Sequence, residues 1–180
     1  MLSVELHAHS ELSYDGRDPV ELLLEQAEAV GLDGLAVTDH DGIEASLSAA
    51  AVAREYDLVG IPGMEVSSAA GHVLALGVEE LVPAGLPFEE TLERIHELGG
   101  IAVVPHPFQS SRHGVAAHVT SAQLAGADAI EVYNSRLFTG RSNSTPTPNC
   151  RTTAATPSNC FSSRRRPWDS TRWPSPTTTA

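Results

Sequence analysis

Two rhythms alternate along the first part of the chain. Short apolar runs of strand type stand at Val4 to Leu6, Leu35 to Thr38, Leu58 to Ile61, Ile101 to Val104 and Ala129 to Val132, with amphipathic helical stretches between them. Asp18-Pro19-Val20-Glu21 reads as a helix start, with an N-cap, a proline at the first helical position and a glutamate soon after, and Gly31 reads as that helix's end. Further helices are expected over Ile43 to Tyr56 and over Glu89 to Leu98, which stops at Gly99-Gly100. Glu65 to Ser68 and Val73 to Val78 read as extended pieces, and a loop with a short helix fills the gap before Ala129. Strands separated by helices predict parallel crossovers and an α/β fold.

The rhythm stops near residue 141. Ser, Thr and Pro supply 22 of the 39 residues from 142 to 180, and both Trp (Trp168, Trp173) and both Cys (Cys150, Cys160) lie there. Residues 1–141 carry 22 acidic and 6 basic side chains, a balance of −16, whereas 142–180 carry Asp169 against five Arg, a balance of +4. Two readings stay open for this segment: a disordered tail of biased composition, or a shifted reading frame. GC-rich codons for Asp, Ala and Val read one base late become codons for Thr, Pro and Ser, which is the direction of the change, and the frameshift is the reading preferred. One domain over 1–141 followed by a Ser/Thr/Pro-rich tail over 142–180 is the expected organisation.

Charge narrows the function. The whole chain balances at −12, and all its basic residues are Arg, with no Lys. A long nucleic acid bound through a broad basic surface is therefore not expected. An acidic surplus of this size suits a concentrated-salt environment, where screening relieves self-repulsion. Met1 to His7 has neither a basic region nor an apolar core of a signal peptide, and no apolar run reaches the length of a membrane span, so a cytoplasmic protein without a membrane partner is expected. Two cysteines in the biased segment say little about redox compartment, and nothing in the sequence fixes the oligomeric state.

The candidate chemistry begins at His7-Ala8-His9. Residues i and i+2 of a strand point to one side, so two imidazoles can converge on one ion as the chain leaves the first strand. Asp15 follows in Ser13-Tyr14-Asp15-Gly16, then Asp39 and His40 after the second strand, Glu65 after Ile61-Pro62-Gly63-Met64, His72 at the start of a strand, and His106 after Ile101 to Pro105. Most of these groups come just after a predicted strand, the end at which a parallel β/α barrel carries its active site. Arg112 is a candidate phosphate contact, because a guanidinium binds phosphate through two parallel hydrogen bonds. His96 reads as a structural residue near a helix C-terminus, His113 and His118 as loop residues, Asp41 and Asp57 as solvated turn residues, and Asp39 as a group that orients a histidine.

These motifs resemble those of the polymerase and histidinol phosphatase family. His7-Ala8-His9 with Asp15, Thr38-Asp39-His40, Gly63-Met64-Glu65 and Val104-Pro105-His106-Pro107 match that family's successive motifs in type and order, and Glu131-Val132-Tyr133-Asn134-Ser135-Arg136 is similar to a further family segment. The resemblance covers about residues 1–141 and implies a distorted (β/α)7 barrel of TIM type, left incomplete in this chain. The family's later Asp-x-His has no counterpart, and no histidine follows His118.

The resemblance further implies two or three divalent ions. His7 and His9 would serve one, Glu65 would bridge it to a second held by His72 and His106, and Asp15 and His40 would serve a third. Imidazole and carboxylate donors without thiolate suit Mn²⁺, Fe²⁺ or Zn²⁺. The implied activity is hydrolysis of a small phosphate ester, such as a nucleotide or a histidinol-phosphate-like compound, by a metal-activated water, with Glu65 and His106 at the reacting centre and Arg112, on its own chemistry, beside them as the phosphate contact. The alternatives are an exonuclease on short oligonucleotides, and a non-catalytic metal-binding remnant, which the missing Asp-x-His supports.

Overall fold

The computed structural model describes residues 2–132, which fold as seven strands and four α-helices joined by three short 3-10 turns. The family-like residues Tyr133 to Arg136 and the Ser/Thr/Pro-rich stretch 142–180 lie outside the described residues. Strand β1 (Val4–Ala8) is followed by α1 (Val20–Ala29), β2 (Gly34–Val37), α2 (Glu44–Val52) and β3 (Val59–Ile61). These three strands form a parallel sheet in the order β1-β2-β3, as the alternation of strand and helix predicts. Leu23, Leu24 and Ala27 of α1 and Ala45, Ala49 and Ala53 on the next helical segments pack on Leu35 and Val37.

The second sheet departs from the expected parallel crossovers. It comprises β4 (Gly63–Ser68), β5 (Gly71–Leu76), β6 (Ile101–Val104) and β7 (Ala129–Ile130), with β4-β5 and β5-β6 antiparallel and only β6-β7 parallel. For β4 and β5 the reason is length: only Ala69 and Ala70 separate them, enough for a hairpin and far too few for a crossover helix. Helix α3 (Phe88–Glu97) buries Phe88, Leu92 and Ile95 against this sheet, and α4 (Ser121–Leu124) is closed by a capping box between Thr120 and Gln123.

Local signals account for most boundaries and fail at one start. Gly31 ends α1 in the left-handed region at φ 77°, but α1 is not capped by Asp18: Pro19 holds the N-cap position without a side-chain bond, and the Asp18 carbonyl accepts the Glu11 N–H at 2.8 Å. Asp18 thus closes the loop that follows β1. The helix expected over Ile43 to Tyr56 is α-helical through Val52 and tightens into a 3-10 turn over Ala53–Tyr56, ended by Asp57 at φ 55°.

The two sheets are stitched together beyond the end of β2. The Glu65 N–H donates to the Asp39 carbonyl at 3.0 Å and the Asp41 N–H to the Glu65 carbonyl at 2.9 Å, a parallel bridge that sets His40 beside Glu65. Apolar groups of both sheets, Ala36 and Ile61 from one and Leu74, Leu76 and Val103 from the other, share a small cluster. No helix among the described residues is long and apolar enough to cross a membrane.

Candidate metal centre

A disturbance in β1 builds one side of the site. The pairing of β1 with β2 shifts register between Glu5 and Ala8, and the buried Glu5 carboxylate accepts the Leu6 and His7 N–H groups at 3.0 Å. A carboxylate thus takes up backbone donors at an irregularity that re-aims the side chains leaving the strand. Asp39 fixes the next turn by accepting the backbone N–H of Ser10 at 2.6 Å and its hydroxyl. It therefore anchors the chain just after His9 rather than orienting a histidine side chain directly.

At the centre stands Glu65, whose side chain is 1% exposed. Oε2 lies 3.1 Å from His7 Nε2 and 3.2 Å from His9 Nε2, while Oε1 lies 2.9 Å from His72 Nδ1 and 3.1 Å from His106 Nε2. His7 Nε2 and His9 Nε2 are themselves 3.1 Å apart. His40 Nε2 is 3.5 Å from Glu65 Oε2 and 3.5 Å from Asp15 Oδ1, which is also 3.8 Å from His9 Nδ1. Every residue that the sequence offered as a metal ligand is therefore gathered around one carboxylate. Arg112 stands at the rim, its guanidinium 3.8 Å from Asp15 Oδ2.

The donor set fits divalent ions. With bonds of about 2.0–2.2 Å, neighbouring ligands on one ion stand roughly 2.8–3.6 Å apart across octahedral to tetrahedral arrangements, and His7, His9 and Glu65 Oε2 make a triangle with edges of 3.1, 3.1 and 3.2 Å. The Nδ1 atoms of His7, His9, His40, His72 and His106 are buried without a hydrogen-bond partner among the described residues. His72 Nδ1 is in that group although Glu65 Oε1 is only 2.9 Å away, so the two atoms are not aligned as donor and acceptor. Two trios bring one donor atom from each member within 4.8 Å of the others: His7, Glu65 and His106, and His9, His40 and Glu65. This partition crosses the one that the resemblance implies, and Glu65 is common to every group in it.

Electrostatics without metal show how strongly the groups depend on one another. Burial by itself would raise the Glu65 carboxyl, but the facing His106, His7, His72 and His9 imidazoles hold it well below the usual carboxylate range. Burial pushes the His7 imidazolium down, and the Glu131 and Glu65 carboxylates more than reverse that, raising it to about 10. His40 is lowered, chiefly by burial. Asp15 is lowered because the neighbouring His9 and His40 outweigh its burial.

Several residues have places at or near the site that the sequence did not assign to them. Glu131, just after β7, accepts the His106 N–H at 2.6 Å and stands 3.6 Å from His7 Nδ1. Its position at a strand end is the signal that would have found it. Tyr14 stacks on His40 with ring centroids 4.4 Å apart and is 76% exposed. His113, read as a plain loop residue, accepts the His72 N–H at 3.0 Å through its carbonyl and sets its ring 4.9 Å from that of His72. Asp41, read as solvated, accepts the Ser67 N–H at 2.7 Å and pins β4. His96 keeps a structural place in the last turn of α3, its Nε2 2.9 Å from an Asp128 carboxylate that also accepts the Ala102 N–H. His118 is an exposed residue closing a short turn.

A family model described as the PHP domain matches residues 5–130. An uncharacterized protein of Methanocaldococcus jannaschii is 29% identical over 143 residues, covering 74% of this chain and 84% of that protein. The phosphoribosyl 1,2-cyclic phosphate 1,2-diphosphodiesterase of Eggerthella lenta is 38% identical over 99 residues, 51% of this chain and 37% of the enzyme. Among solved structures, a two-domain protein of Bacteroides vulgatus, described as containing a predicted PHP-like metal-dependent phosphoesterase, superimposes with a TM-score of 0.62 at 19% identity, over 73% of this chain and 44% of that one.

Proposed function

Since the chain belongs to the PHP domain family, we propose that it is a metal-dependent phosphoesterase acting on small phosphate esters. The observation that carries this reading is the division of Glu65, with Oε2 turned to His7 and His9 and Oε1 to His72 and His106. A carboxylate so placed suits a bridge between two ions, and Asp15 with His40 offers a third position. Bound divalent ions would supply Lewis acidity to a phosphoryl oxygen and lower the pKa of a water. The protein's own part is to hold the imidazoles aimed, to bring Arg112 to the rim where a phosphate oxygen would enter, and to exclude bulk water beneath the buried Glu65 and His106. The hydrolase domain is taken as residues 1–141, part of a distorted (β/α)7 barrel, which the apolar cluster shared by the two sheets supports. An acidic exterior favours a small ester over a long polyanion.

The test is to load the full chain with Mn²⁺ and follow hydrolysis of an aryl phosphate, a nucleoside monophosphate and a dinucleotide. The expected result is release of phosphate from the monoesters, lost in Glu65→Ala. Preferential cleavage of the dinucleotide would favour the exonuclease reading. Bound metal with no turnover on any substrate would favour a non-catalytic chain, the reading that the absent Asp-x-His supports.

A further inference from the structure

We infer that Glu131 is a positioning residue that aims His7 and His106 at opposite oxygens of Glu65. The inference rests on the reading of this cluster as a metal centre. His106 Nε2 faces Glu65 Oε1 at 3.1 Å, and His7 Nε2 faces Oε2 at 3.1 Å. The two histidines come from different sheets, His106 after β6 and His7 on β1, and one carboxylate, 11% exposed, reaches both.

Its two oxygens do different work. Oε2 accepts the backbone N–H of His106 at 2.6 Å. His106 sits at φ 31°, in the left-handed region that a side chain with a Cβ rarely adopts, so its backbone needs a partner that holds it there. Oε1 stands 3.6 Å from His7 Nδ1, beyond hydrogen-bond range but close enough for charge to act. An imidazole that ligates through Nε2 carries its proton on Nδ1, and an anionic acceptor on that side favours this tautomer and ring orientation. Glu131 is itself fixed, because its N–H donates to the Val104 carbonyl at 2.8 Å as β7 leaves the sheet beside β6.

The experiment compares the full-length wild type with Glu131→Ala and Glu131→Gln. Mn²⁺ affinity is measured by calorimetric titration, and the visible spectrum of the Co²⁺-loaded protein reports the ligand geometry. Glu131→Ala is expected to weaken Mn²⁺ binding on the order of 10- to 100-fold and to change the Co²⁺ spectrum. Glu131→Gln keeps an oxygen for the His106 N–H and loses the charge toward His7, so its affinity should fall between the two. A residue that only stabilised the fold would lower the melting temperature and leave the Co²⁺ spectrum unchanged. If Glu131→Ala does not fold, a weaker Mn²⁺ affinity and altered spectrum in Glu131→Gln carry the same conclusion. Unchanged affinity and spectrum in a folded variant overturn the role of Glu131 alone. A wild type that binds no Mn²⁺ overturns the metal reading, and this inference with it.

Discussion

A carboxylate as buried as Glu65 would be costly without compensation, and five imidazoles within 3.5 Å of its oxygens supply it. Glu65→Ala should therefore abolish tight metal binding, and it should destabilise the metal-free protein by about 1–3 kcal/mol by removing one of the two carboxylates that face the His7 imidazolium. Calorimetric titration and denaturant unfolding measure the two effects; a variant with wild-type metal content would exclude Glu65 as a bridge. The pH dependence follows from His7, which stays protonated up to about 10 in the metal-free pocket. A ligating nitrogen must lose that proton, so metal uptake near pH 7.5 should release protons and apparent affinity should rise with pH, by up to ~10-fold per unit from this residue. Titrations in buffers of different ionisation enthalpy count the protons, and zero release would contradict the expectation. For the metal-free fold, the raised His7 contributes stability that is complete below 6.5 and fades as pH rises through about 10. The depressed Glu65 contributes stability that is present above 4.5 and lost as pH falls below it. The two contributions overlap between those limits, where stability from this cluster should be greatest.

At the scale of elements, the β4-β5 hairpin and the turns after β1 and β2 set the site. Gly71 opens β5 at φ 137°, and a Cβ there would meet the His113 carbonyl oxygen at 2.2 Å. Gly71→Ala should cost about 2 kcal/mol or more, since both backbone strain and a backbone clash must be relieved. It should also weaken metal binding, because the adjacent His72 donates its N–H to that same carbonyl. Thermal melting and Mn²⁺ titration of the variant test the pair of effects, and unchanged metal affinity would separate His72 from the hairpin geometry. Asp39→Ala removes the acceptor of two Ser10 donors and should cost about 1–3 kcal/mol, read by denaturant unfolding. The strands, and helix ends marked by Gly31 and Gly99, were legible from hydrophobic rhythm and glycine placement. The antiparallel pairing of β4, β5 and β6 was not: periodicity identifies a strand but carries no sign of the direction of its neighbour.

For the whole molecule, the −16 balance of residues 1–141 sets the response to salt. Screening of like charges should raise the melting temperature as ionic strength rises to the molar range. A flat melting temperature would count against adaptation to concentrated salt. Arg residues provide few compensating partners on the described surface, where Arg94 pairs with Glu80 and Glu97 at 38% exposure, so such pairs contribute little at any salt concentration.

The sequence by itself determined the donor set and its rough location. His7, His9, Asp15, His40, Glu65, His72 and His106 are recognisable because imidazoles and carboxylates gathered beside predicted strands cannot all be explained as independent surface residues, and the structure brings them together. Two things were decided only by tertiary structure. The first is which oxygen of Glu65 meets which histidine, because that depends on the parallel bridge between residues 39–41 and Glu65, a contact between two sheets that no local pattern encodes. The second is what the supporting residues hold: Glu5 and Asp41 read as ordinary acidic positions, Asp39 as a group that orients a histidine, and Glu131 only as part of a family-like segment. Their roles are hydrogen bonds to backbone donors, most of them distant in the chain, and such bonds exist only once the turns they hold have been folded against each other.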